Sequence, residues 1–434
     1  MRLTHVSHLR LPFGPLLGID LEASAPGRSL PISFDQARHV QLGDRPGSWM
    51  ALAFRLPGPL DRDELAAAWT VVVRAHGTLR TVFVDRGDAP ASLHEVTYGP
   101  GTWVEHEVAP GQSLSSALQD VLDAHCRPLS RPSHRLCMIE TSDGPTLVVA
   151  ADHSHLDMWS MLVIVRDLLA ALERIQRGES PAPAPVPSFV EHTEALRDRP
   201  AAPEEVHRRW REVIDAGGGA MPRFPLPLGD PSVHPERVVV RDVLDGDALA
   251  AYSERARQEG VSTLALTISA MTSTTQELAG TALRAVFPVH SRYEQRWHDS
   301  VGWFITNSVL ESGDPDPSAC AAAIKESLRL GSHPLSELMT PWGGMPEAAG
   351  MLAVSWLDMR RLPVTIDTRG LDAHYISAGI RTDGVMLWFV TDTSGIHLRC
   401  RYPDTPEARQ SVGAWLDDLV ARIRGAGVRG GWSS

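Results

Sequence analysis

The sequence predicts a mixed α/β (α+β) fold in two lobes, and three observations predict it. A length of 434 residues suits two or three domains. Short apolar runs of strand character alternate with amphipathic helical runs. One proline-rich seam, Gly178–Pro187 (GESPAPAPVP), interrupts this pattern and separates strand and helix signals on both sides. Proline at alternating positions fixes φ and removes backbone donors, so this stretch fits neither a helix nor a central strand. It sets residues 1–178 apart from residues 188–434, with 179–187 as the linker. The strands are many and not adjacent in the chain, which favours sandwich-like lobes over a purely doubly wound sheet. No repeat links the two parts by eye.

Trp49–Leu56 (WMALAFRL) has strand character. Asp61–Ala75 reads as a helix, with Asp61 as N-cap and Glu64 three residues on, and with Leu65, Ala68, Trp69 and Val72 on one face. Thr146–Ala151 (TLVVAA) is a short, wholly apolar run that fits a buried strand. Ser160–Arg177 carries Leu162, Val165, Leu168, Leu169 and Leu172 at helical spacing. Beyond the seam, Ser188 and Glu191 form a capping box that restarts a helix to Arg197. Leu283–Val289 and Val385–Thr391 read as strands, and Gly425–Ser434 as a frayed tail.

Composition narrows the class. Hydrophobic residues at 43% and charged residues at 22% give an ordinary globular balance, so a sizeable core is expected. A formal net charge of −12 disfavours non-specific binding to nucleic acid or anionic membrane. Cys126, Cys137, Cys320 and Cys400 form no CxxC pair. Apolar stretches such as Met161–Val165 are far too short to span a bilayer, and residues 1–18 lack the apolar segment of a signal peptide. The expectation is a cytoplasmic monomer with reduced thiols, no nucleic-acid partner and no membrane span. Lys325 is the single lysine, so any cationic patch is built from arginine.

The sharpest chemical feature is Ala151–Ser160, ADHSHLDMWS, between the buried strand and the long helix. Polar residues on a strand-to-helix loop can face a cleft while the scaffold holds them. Asp152, His153, His155 and Asp157 lie within six positions. Imidazole suits general-base work because its pKa is near neutrality and a neighbouring carboxylate can fix its tautomer. Three readings compete. In the first, the histidines only satisfy backbone groups. In the second, His153, His155 and Asp157 spell HxHxD, similar to the zinc-binding run of metallo-β-lactamase-fold hydrolases, although Met158 stands where that family has another histidine. In the third, His153 and Asp157 form H-x-x-x-D.

The third reading resembles the HHxxxDG motif of nonribosomal peptide synthetase condensation domains and related acyltransferases of the chloramphenicol-acetyltransferase-like superfamily. Further segments carry the same resemblance. Ala75–Phe83 (AHGTLRTVF) is similar to the family's RHExLRTxF segment, with Ala75 and Gly77 departing from it. Phe287–Val309 resembles the stretch holding NR and then (V/I)GxFxN, through Arg292, Val301, Gly302, Phe304 and Asn307, with Ser291 in place of the usual Asn. Ser33–Gln36 (SFDQ) resembles the segment where these domains begin. Val354–Pro363 (VSWLDMRRLP) resembles the branch that acylates polyketide or glycolipid alcohols in actinobacteria.

The resemblance implies two chloramphenicol-acetyltransferase-like sandwich lobes in a V, with an inter-lobe tunnel. It implies an acyl thioester as substrate, on the phosphopantetheine of a separate acyl or peptidyl carrier protein or on coenzyme A. The acceptor would be a small amine or alcohol, no cofactor would be permanently bound, and no metal would be needed. His153 would act as general base or positioning residue, and Asp157 would pair with Arg292. Asp152 stands where the family has the first His, and Met158 where it has Gly, so altered or lost catalysis is an open alternative. His155, Met158, Trp159, Trp303 and Asn307 are candidates for the tunnel wall. His76 and Arg80 read as architecture, Gly302 and Asn307 as shaping a turn, and Trp159 and Trp303 as either core or wall.

Overall fold

A computed structural model describes residues 2–181, 184–364, 366 and 370–428. The chain forms two compact units. The first comprises Met1–Arg199 together with two later excursions, Arg292–Ile305 and Leu362–Gly379. The second comprises Pro200–Ser291, Thr306–Arg361 and Ile380–Ser434. The cut differs from a single boundary at 179–187: the proline-rich stretch falls inside the first unit, which runs on to Arg199. Ala182 and Pro183 of that stretch lie outside the described residues.

The first unit is organised on a seven-stranded mixed sheet. In spatial order its strands are Arg2–His5, His374–Ser377, Trp49–Arg55, Thr146–Asp152, His134–Ile139, Leu16–Asp20 and Thr102–His106. Only the first pair, Arg2–His5 with His374–Ser377, is parallel within this sheet. Thr146–Asp152 is the middle strand and is buried along its whole length. Such a strand needs apolar side chains on both faces, which explains the unbroken LVVAA run. A small three-stranded sheet, Ser29–Leu30, Ala89–Glu95 and Thr81–Arg86, is built on Leu30, Val40, Phe83 and Leu93.

The helices follow local signals closely. Asp61 caps Arg62–Ala75 by accepting from the backbone N–H groups of Asp63 and Glu64. The long helix spans Met158–Gln176, two residues earlier than its apolar periodicity suggests, because Asp157 is its N-cap. It buries Trp159, Met161 to Val165, Leu168 and Leu172 and packs on Arg62–Ala75, as a helix that is apolar nearly all round must. Ser188 and Glu191 form a reciprocal capping box at the start of Phe189–Arg197, and Ser33 and Gln36 do the same for Phe34–Val40.

The second unit has its own seven-stranded mixed sheet: Ile305–Ser312, Leu283–His290, Leu352–Asp358, Val385–Asp392, Gly395–Pro403, His234–Asp245 and Arg381–Thr382. Its core gathers Tyr252, Phe287, Phe389 and Trp415 with aliphatic residues of the strands and of helices Gly246–Gln258, Thr263–Ala279 and Pro406–Val428. That last helix includes Gly425–Val428, where the sequence predicts a frayed tail, and the rest of that expectation, residues 429–434, lies outside the described residues. All four cysteines are free and buried. Among the described residues no helix is long and apolar enough to cross a membrane.

Candidate active site

The middle strand Thr146–Asp152 delivers the ADHSHLDMWS segment from the sheet interior. The chain leaves the strand through one turn of 3-10 helix, His153–His155, and enters the long helix at Met158. The strand is hydrogen-bonded on both sides, so the turn begins from a fixed point. The backbone N–H of His153 donates to the Ser48 carbonyl at 3.0 Å, and that of Asp152 to the Ser133 carbonyl at 2.8 Å. Gln36 donates from Nε2 to the Ser154 carbonyl at 2.8 Å and ties the turn to the helix Phe34–Val40.

Asp152 is fully buried and caps the turn. It accepts from the Ser154 N–H at 2.9 Å, from the Ser154 hydroxyl, and from His39 Nε2 at 3.1 Å. Burial alone would raise its pKa, but the His39 hydrogen bond and charge, with those of Ser154, hold it below the ordinary carboxylate value.

Asp157 is 2% exposed and all of its acceptor capacity is engaged. Arg292 grips it bidentately, Nη1 to Oδ2 at 2.7 Å and Nη2 to Oδ1 at 3.2 Å. The backbone N–H groups of Ser160 and Phe304 donate to the two oxygens at 2.7 and 3.1 Å. Burial works to raise this carboxyl, and the Arg292 charge and these hydrogen bonds overcome it and hold the pKa low. Arg292 also donates to the Ser160 hydroxyl at 2.7 Å and the Ser300 carbonyl at 3.2 Å, and its guanidinium lies 4.0 Å from the Phe304 ring centre. The Ser160 hydroxyl in turn donates to the Gly302 carbonyl and accepts the Gly302 N–H, at 2.9 and 3.0 Å. A Cβ on Gly302 would meet Phe189 at 2.4 Å, so this close approach requires glycine.

Against this rigid surround, His153 is partly exposed. Its Nδ1 is buried with no hydrogen bond to another residue. Its ring lies against Trp303, with centroids 4.4 Å apart and planes at 33°. Burial, and then the neighbouring His39, lower its pKa from 6.5, while its own backbone, Asp152 and Asp157 pull the other way. The ring is therefore neutral at pH 7 and has a free lone pair for a proton.

The remaining candidates separate. His155 is buried, with Nδ1 3.0 Å from the Ser154 hydroxyl, Nε2 3.2 Å from the Thr81 carbonyl, and its ring edge-on to Phe83. Both nitrogens face groups of the fold. Met158 is partly exposed, and its carbonyl accepts from the buried Tyr375 hydroxyl at 2.8 Å. Trp159 is 7% exposed and donates from Nε1 to the His298 carbonyl at 2.9 Å, which makes it core. Trp303 is partly exposed beside His153. Asn307 belongs to the second unit, on the strand Ile305–Ser312, and is partly buried. His76 pairs with Asp167 of the long helix at 2.9 Å, an architectural link. His153, His155 and Asp157 do not share a focus for zinc, since His155 and Asp157 are consumed by the contacts above. Among the described residues no group of three or more His, Cys, Asp or Glu could hold a metal ion.

Residue-level reading of the sequence missed Ser160, Gln36, Tyr375 and His39. Ser160 had a local signal, standing three residues after the capping Asp157, and Gln36 had one in SFDQ. His39 and Tyr375 had none, because their partners lie 113 and 217 positions away.

Comparison with known proteins bears on this arrangement. A family model described as "Condensation domain" matches residues 31–326. The chain is 27% identical over 403 residues to an isonitrile lipopeptide synthase of Mycobacterium tuberculosis, covering 82% of this chain but only 16% of that protein. It is 21% identical over 427 residues to the acyltransferase PapA3 of Mycobacterium tuberculosis, covering 92% of this chain and 89% of that one. Among solved structures, the PapA2 acyl transferase superposes with a TM-score of 0.85 at 17% identity, covering 99% of this chain and all of that one. That likeness establishes the mixed α/β fold expected of condensation-type acyltransferases.

Proposed function

The chain belongs to the Condensation domain family, and from that membership we propose that it transfers an acyl group from a thioester to an amine or alcohol in lipid or secondary-metabolite biosynthesis. The thioester is carried on coenzyme A or on the phosphopantetheine of a separate acyl or peptidyl carrier protein, and is a substrate rather than a resident cofactor. The observation that carries this reading is the state of His153: a neutral, partly exposed imidazole at a strand-to-helix corner held by the Asp152 and Asp157 networks.

With Nδ1 buried, Nε2 is the nitrogen left to meet the acceptor. The acceptor's O–H or N–H gives its proton to Nε2 as the heteroatom attacks the thioester carbonyl carbon. The C–S bond then breaks, and the departing sulfur takes the proton back as a thiol. Nothing is oxidised or reduced, and the imidazole returns to its starting state. Asp157 does not orient the base in this scheme. Its oxygens are filled by Arg292, Ser160 and Phe304, so it keeps the strand-to-helix corner in shape. Positioning and base catalysis by one group together account for a large rate factor.

The test is incubation of the purified chain with acyl-CoA and acyl-carrier thioesters and a panel of amines and alcohols, with product and free thiol quantified. His153→Ala should lower turnover by about 10²- to 10⁴-fold with the fold retained. A His153→Ala variant as active as the parent refutes base catalysis. A second reading, a condensation-like module without transferase activity, is favoured by Trp303 covering one face of the His153 ring. Absence of transfer with every donor, alongside tight binding of one thioester, selects it.

A further inference from the structure

His39 is an imidazole of this neighbourhood that the scheme above leaves unused. It projects from the helix Phe34–Val40, and its side chain is 11% exposed. Arg45 Nη2 lies 2.9 Å from its Nδ1 and 3.3 Å from its Nε2. A guanidinium can only donate and a carboxylate only accept, so the arrangement that serves both neighbours has Nδ1 toward Arg45 and the proton on Nε2. That nitrogen lies 3.1 and 3.3 Å from the two oxygens of Asp152, to which it donates. Arg45 is itself fixed by donating from Nη1 to the carbonyls of His39 and Gly43, at 3.0 and 3.1 Å. Asp152 closes the turn that begins with His153 through its bonds to Ser154.

The same imidazole has a second contact. Its ring stands edge-on to the Trp303 indole, centroids 5.3 Å apart and planes at 78°. That indole lies along the His153 ring at 4.4 Å, whereas His39 and His153 are 6.3 Å apart. His39 therefore reaches His153 by two routes, through the backbone via Asp152 and through space via Trp303. Its chemistry also fits the residue at 152. A fully buried carboxylate needs a donor, and the imidazole N–H facing it supplies one.

We propose that His39 is a positioning residue for His153: it anchors Asp152 at the root of the His153 turn and braces the indole that lies over the His153 ring. The proposal rests on the acyl-transfer reading for its kinetic consequence, but not for its structural one.

Two variants of the full chain test it, His39→Ala and His39→Gln. The glutamine amide can donate to Asp152 and accept from Arg45, so it replaces the polar link. His39→Ala should lower kcat by about tenfold to a hundredfold, the scale of a small misplacement of a reacting group, with KM little changed. His39→Gln should recover most of that loss. In ¹⁵N-labelled protein at fixed pH, the ring resonances of His153, assigned by their loss in His153→Ala, should move in His39→Ala and return in His39→Gln. Unchanged kcat in His39→Ala, or a His39→Gln variant as impaired as His39→Ala, overturns the proposal. If the parent chain transfers no acyl group, the transferase reading fails and the resonances decide alone: unmoved His153 signals in His39→Ala then overturn the positioning role.

Discussion

The residues that matter most here are two side chains with opposite environments. Asp157 is an ion-paired carboxylate with all its acceptor sites filled, and His153 is an imidazole with little to hold it but its backbone. Removing the first should damage the fold. Asp157→Ala strands the Arg292 charge in the interior, and breaking a buried pair in this way costs about 3–5 kcal/mol; denaturant unfolding of parent and variant measures it. The carboxyl titrates below its ordinary 3.8, so its stabilisation is complete above that value and is lost as pH falls through the folded-state pKa. Acid unfolding below pH 3.8 should therefore be less steep in Asp157→Asn than in the parent. His153 has the complementary signature. Its pKa lies below 6.5, so the acid limb of kcat/KM should have its midpoint below that pH, which pH–rate measurements locate.

The strand-to-helix element places both side chains. Its strand and its helix were legible because their codes are local: a wholly apolar run for a strand buried on both faces, and apolar residues at helical spacing for the helix. What the helix start docks against was not legible. Ser160 bonds both polar groups of Gly302, 142 positions away, and Phe189 fills the space a side chain there would need. Gly302→Ala should force Phe189 or the Gly302 backbone to move, costing about 1–3 kcal/mol as overpacked sites do. A lower thermal midpoint together with a lower kcat is expected, because the displaced segment holds both the Ser160 network and Trp303. An unchanged midpoint would show that Phe189 yields freely.

Across the whole molecule, the first unit is discontinuous in sequence. Its sheet is completed by His374–Ser377, which lies between Arg2–His5 and Trp49–Arg55. Arg292, which neutralises Asp157, comes from the excursion Arg292–Ile305. A fragment of residues 1–199 would leave Arg2–His5 unpaired, Trp49–Arg55 paired on one side only, and one buried carboxylate without its cation. It should fail to unfold cooperatively, and circular dichroism with denaturant titration would show this; a sharp two-state transition would contradict the division. Sequence reading cut the chain at the prolines because composition registers a rigid extended segment. Composition does not register which later strand returns to an earlier sheet. The amino-acid order alone determined several of the strands and helices, the caps Asp61 and Ser188, the HxxxD corner and the resemblance of Arg292, Gly302 and Phe304 to a known pattern, since propensity, capping and spacing act over a few residues. The chain's return in space assigned His155 to the core, joined His39 to Asp152 and closed the first sheet with residues 374–377, because hydrogen bonds and ion pairs depend on distances that sequence separation does not encode.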